Sequence, residues 1–75
     1  MFVAYPHEHY PRHVHGFYAV TEAIVILNED GTVALAVRRD AIRPRSAKVS
    51  DVRRILTLAA EHFDELVQLW EQMHA

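Results

Sequence analysis

The sequence predicts an α+β fold: a small antiparallel β-meander of three to four strands with one long C-terminal helix packed on one face. Two observations carry this reading. Residues 20–37 are apolar and β-rich, and Asp30-Gly31 interrupts them. Residues 50–73 carry apolar side chains at helical spacing with no proline or glycine among them. The 75 residues make one domain, read as a β-rich part over 1–37, a basic connector over 38–49 and a helix over 50–73.

Met1 to Tyr5 has β character and is ended by Pro6. His13 to Ala19 has it too, and Gly16 marks a bulge or bend there. Val20 to Leu27 is rich in valine, isoleucine and threonine, as strands prefer. One pleat face carries Val20, Glu22, Ile24 and Ile26, and the other Thr21, Ala23, Val25 and Leu27. Both faces are apolar toward the end, which predicts a central strand covered on both sides. Asn28-Glu29-Asp30-Gly31 then predicts a hairpin, with glycine free to take positive φ, and Thr32 to Val37 pairs back antiparallel.

The helix is expected to start with Ser50 as N-cap and Asp51 at the positive end of the dipole. Val52, Ile55, Leu56, Ala59, Phe63, Leu66, Val67, Trp70 and Met73 form one stripe. Some 24 residues would span roughly 36 Å as a straight helix, more than the width of a four-stranded sheet. Part of the stripe is therefore expected to bury against a second subunit, or the helix to break near Ala60 to His62.

Composition sets limits. Cysteine is absent, which excludes disulfides, thiolate zinc sites and cysteine nucleophiles. Hydrophobic residues make up 51% against 24% charged, too apolar for a disordered chain. Neither Ala23 to Leu27 nor Val33 to Val37 is long enough to cross a bilayer. The N-terminal residues show no secretion signal, so a cytoplasmic location is expected. A fold of this size buries only ~60–65% of its unfolded surface, which favours a homodimer.

Histidine is the anomaly, with six in the chain and four of them in residues 1–19. His7 and His9 are two apart, as are His13 and His15, and in an extended chain each pair points to one side. Neutral imidazoles so placed can hold zinc, copper or nickel through four nitrogens, or through three with Glu8. The metal set read this way is His9, His13 and His15. The same residues suit acid–base chemistry without a cofactor: His13 and His15 move protons while Arg12 stabilises phosphorane charge, as in a metal-independent ribonuclease. They equally suit a structural role, exposed on a loop or hydrogen-bonded to backbone.

Charge is also uneven. Seven of the eight Lys/Arg fall in residues 38–54, opposed there only by Asp40 and Asp51, in a chain of net charge −2. Arg38, Arg39, Arg43, Arg45 and Lys48 form a candidate surface for phosphates or an acidic partner. Arginine dominates, which favours forked contacts. The alternative is a solvated loop paired with the acidic helix face. His62, near the edge of the apolar stripe, is expected to reach across to the sheet or the histidine segment.

Glu8-His9-Tyr10-Pro11-Arg12-His13-Val14-His15 resembles the Glu-His-Asn-Pro-Pro-His-Phe-His signature of the small bacterial proteins called domain of unknown function 4160. The hairpin turn and the helix pattern Ser50, Val52, Arg53, Ile55, Glu61-His62, Leu66 and Trp70 are similar to that family as well. The resemblance spans residues 2–73. Arg12 stands where the family has its second proline, Val52 where leucine is commoner, and His7 is extra. On this matching His9, His13, His15, His62 and Trp70 are family positions, and His7 and His74 are not. The chain also starts later than the family pattern. The resemblance implies a partner protein of the domain of unknown function 2442 type, in a toxin–antitoxin-like two-protein operon, and action through that partner or RNA. It implies no assigned chemistry.

Overall fold

The computed structural model describes residues 1–75. Strands β1 (Phe2–Val3), β2 (His13–Tyr18), β3 (Thr21–Leu27), β4 (Val33–Leu35) and β5 (Ile42–Arg43) form one antiparallel sheet, followed by helices α1 (Val49–Glu61) and α2 (Phe63–Met73). The sheet runs β1-β2-β3-β4, and β5 pairs with β3 beyond the end of β4. The class is α+β, as the sequence predicts.

Register follows the pleat. His13 lies opposite Ile26, His15 opposite Ile24 and Phe17 opposite Glu22. One face of the sheet therefore carries Val14, Ala23, Val25 and Leu27, which join Ile55, Ala59, Leu66 and Trp70 in the main core. Thr21 is buried on this face too, and its hydroxyl donates to Asp51 Oδ2 at 3.0 Å, tying β3 to the first turn of α1. The other face carries His13, His15, Glu22 and Ile24. Ala36 and Ala41 cover Ile24 there, so β3 is enclosed on both sides.

Two turns show how local chemistry sets these strands. In the β3–β4 hairpin, Gly31 takes φ +89° and Asp30 Oδ1 accepts from the Thr32 amide at 3.0 Å and its hydroxyl at 2.6 Å. Those bonds hold the Asp30 carboxyl below its ordinary range. The β2–β3 turn carries no such signal in the sequence. It is made by Ala19 and Val20, with Ala19 at φ +53°, a conformation that costs an L-residue about 1–2 kcal/mol. Val20 is consequently a turn residue, not the first residue of a strand.

The helical segment is two helices, not one, and it breaks within the Ala60 to His62 stretch that the sequence offered as an alternative. His62, at φ −111° and ψ 28°, leaves the helical path, although its amide still donates to Leu58 O at 3.1 Å and its carbonyl accepts from Leu66 at 3.0 Å. The molecule is 35 × 24 × 19 Å. A straight helix would carry its second half past the sheet, whereas the break lets Leu66 and Trp70 return to the core that Val52, Ile55 and Ala59 already seal. The first turn also begins earlier than expected. Lys48 is the N-cap without a side-chain capping bond, and Ser50 lies inside the helix.

Candidate metal centre

Alternation along β2 puts His13 and His15 together on the face opposite Val14, as two-residue spacing requires, and the His13 ring also meets Trp70 of α2 at 5.2 Å. Glu22 projects from the same face of β3. The chain before β2 folds back over these side chains and delivers Glu8. Four anchors fix that return: Ala4 is buried in the main core, the Tyr5 ring meets His15 edge-on at 4.9 Å, Leu27 N donates to Arg12 O at 2.9 Å, and His74 Nε2 donates to the Glu8 carbonyl.

The result is a convergence on one oxygen. Glu8 Oε1 lies 3.0 Å from His13 Nε2 and 2.8 Å from His15 Nε2. The far side of each ring is held as well. His13 Nδ1 lies 2.7 Å from the Pro11 carbonyl and His15 Nδ1 lies 2.8 Å from Glu22 Oε2. A carbonyl only accepts, so His13 Nδ1 must carry a hydrogen. A carboxylate favours the same on His15 Nδ1. In their neutral forms both rings then present the Nε2 lone pair to a single point beside Glu8.

His13 and His15 are 6% and 8% exposed, so water does little to screen this cluster. Burial alone would raise the Glu8 carboxyl. Hydrogen bonds and positive charge from His15 and then His13 outweigh it and hold Glu8 below its ordinary value, as a carboxylate. Two occupancies balance the charge of Glu8 and Glu22: two imidazolium rings, or two neutral rings around one dication. The second matches the way protein metal sites are built. Imidazole nitrogens and a carboxylate oxygen converge, and a carboxylate or carbonyl behind each ring fixes the tautomer. A tetrahedral ion with bonds of about 2.0–2.1 Å needs donors about 3.3 Å apart, so its binding would open these contacts by a few tenths of an ångström.

The donor set is Glu8, His13 and His15, whose ligand atoms lie within 4.8 Å of one another. Glu8, the alternative donor read in the sequence, stands in this group and His9 does not. His9 is exposed and outside the cluster. Arg12 is also elsewhere. Its guanidinium donates to Leu27 O and Asn28 O, each at 3.2 Å, and lies over the Phe63 ring, so it holds the end of β3 to the helices. His62 faces solvent at the helix junction and meets Glu65 at 3.2 Å, far from the role of bridging to the sheet. His74 makes that bridge instead, stacked on Trp70 at 3.6 Å with Nδ1 on the Trp70 carbonyl at 2.8 Å.

Beside the centre lies a cavity of about 680 Å³. Glu8 and His13 line one side, Ile24, Ile26, Ala36 and Val37 form apolar wall, and His9, Asn28 and Arg38 contribute polar groups. Arg38 is committed to Asp40 through two bonds of 2.9 and 2.8 Å, and Arg43 approaches the same carboxylate at 3.5 Å. These pairings hold Asp40 below its ordinary range. Arg39, Arg45 and Lys48 are exposed. No helix is long and apolar enough to cross a membrane. The chain matches no family model, no curated protein and no solved structure.

Proposed function

We propose that this protein binds one divalent transition-metal ion of the zinc class through Glu8 Oε1, His13 Nε2 and His15 Nε2. The observation that supports the reading is the shared target of the two Nε2 atoms, each backed by an acceptor on Nδ1. Imidazole and carboxylate donors suit zinc, with copper or nickel as competitors. The test is metal content of the tag-free full chain after zinc loading and exhaustive dialysis. One zinc per chain is expected, lost in Glu8→Ala and in His15→Ala but kept in His9→Ala and His62→Ala. Absence of stoichiometric metal, or loss in His9→Ala with retention in Glu8→Ala, would overturn the reading.

A second reading has its own support. The exposed Arg39, Arg45 and Lys48 suit phosphates or an acidic partner, in line with the two-protein operon that the resemblance implies. An Arg39→Glu, Arg45→Glu double variant should then lose salt-sensitive binding to single-stranded RNA, with metal content unchanged. Equal binding by wild type and variant would remove this reading.

A further inference from the structure

We infer that the metal centre is hydrolytic and that its substrates are carboxylic esters with an apolar acyl group; this rests on the metal reading above. Three observations lead there. First, only three donors converge, and no fourth histidine or carboxylate joins them. Glu22 is held by His15 Nδ1. Structural zinc sites close with four protein ligands, whereas three leave a position for water. Second, Glu8 and His13 also line the cavity, so an ion held by them would border it. Third, the cavity chemistry selects the substrate. Ile26 and Val37 offer apolar surface, backed by the buried Ile24 and Ala36, and the one cation on the wall, Arg38, is already neutralised by Asp40. A phosphate ester would enter with no free cation to meet it, whereas a neutral acyl group loses little on leaving water.

The step balances without redox chemistry. Water on the ion gives up a proton to solvent, and its oxygen forms a bond to the ester carbonyl carbon. The bond from that carbon to the alcohol oxygen then breaks. The leaving alkoxide takes up a proton from solvent. One water is consumed, and one acid and one alcohol are released. The ion lowers the pKa of its water to about 7 in such sites, which supplies hydroxide at neutral pH.

The experiment is release of 4-nitrophenolate from 4-nitrophenyl butyrate by the zinc-loaded full chain, with zinc content measured on the same samples. The expected rate exceeds that of free zinc and of His15→Ala by about tenfold or more, and chelation abolishes it. Ala36→Leu, which adds bulk to the cavity wall, should slow butyrate hydrolysis by about tenfold at unchanged zinc content. Val37→Glu, at a fully exposed position, serves if Ala36→Leu does not fold, and should slow it likewise. One zinc per chain with no hydrolysis above free zinc would overturn this inference and leave the metal reading standing. No bound zinc would overturn both. Hydrolysis unaffected by either wall variant would overturn the assignment of the cavity as the acyl site.

Discussion

Adding a methyl group at Gly16 tests how closely the histidine strand is pressed against the helices. A Cβ there would lie 2.5 Å from Ile55 Cγ2 and 2.7 Å from Phe2 Cε1. Ordinary carbon contacts are about 3.5–4.0 Å, so roughly 1 Å must be found on each side. Phe2 is only partly buried on a two-residue edge strand and can swing aside. Ile55 is 1% exposed and wedged between α1 and the sheet, so it cannot. Overpacking of this kind costs about 1–3 kcal/mol. Glycine to alanine in a strand returns about 0.5–1 kcal/mol of backbone entropy. The net loss for Gly16→Ala is therefore about 1–2 kcal/mol, or about 4–16 °C in Tm for a domain of this size. Thermal unfolding followed by far-ultraviolet circular dichroism measures it. In an Ile55→Ala background the same change should cost almost nothing, since the methyl it meets is gone. A Tm within about 2 °C of wild type, or equal costs in both backgrounds, would refute the packing argument.

Three further outcomes are expected. Ala19→Gly should stabilise the fold by about 0.5–1 kcal/mol, because it relieves the positive-φ turn; a lower Tm would contradict the strained turn. Glu22→Gln removes the carboxylate behind His15, so zinc affinity by competition with a chromogenic chelator should fall about 10–100-fold with little change in Tm; unchanged affinity would deny Glu22 its orienting role. Zinc affinity should also fall as pH falls, because protons compete for both Nε2 atoms. In the metal-free chain, the depressed Glu8 carboxyl contributes stability that is present above its unfolded value of about 4.5 and lost as pH falls through its lower folded value. Denaturant unfolding across that range should show it, and the slope should be shallower in Glu8→Gln, with Asp30 and Asp40 supplying the rest.

Much of the sheet was legible because its signals are local. Asp30-Gly31 and the two-residue alternation of β3 each arise from a few neighbouring residues, and so does the shared face of His13 and His15. The Ala19-Val20 turn was not legible: neither residue favours positive φ, and it forms because β2 and β3 must pair in the one register that buries Val14 and Val25 together. The helix break was legible only as an alternative, from a stripe longer than the sheet is wide; no proline or glycine marks it, and the demand to bury Trp70 decides for it. In the site, the pair of histidines and Glu8 as an added donor could be read, but the choice between Glu8 and His9 depended on how the loop before β2 folds back. Two signals were available. Glu22 is a charge on the pleat face otherwise held by Ile24 and Ile26, and His74 lies four residues past Trp70, one helical turn along. Neither signal says what the side chain would meet, since Glu22 needs His15 across the sheet and His74 needs a loop 66 residues away.

The central claim is the identity of the three donors, and X-ray absorption at the zinc edge of the zinc-loaded chain tests it most directly. The account predicts a shell of nitrogen and oxygen at about 2.0–2.1 Å, no sulfur, and outer-shell scattering from two imidazoles. The imidazole scattering should drop by half in His13→Ala and in His15→Ala, and stay unchanged in His9→Ala. A spectrum with one imidazole or none, or one that His9→Ala alters and His13→Ala does not, would contradict it.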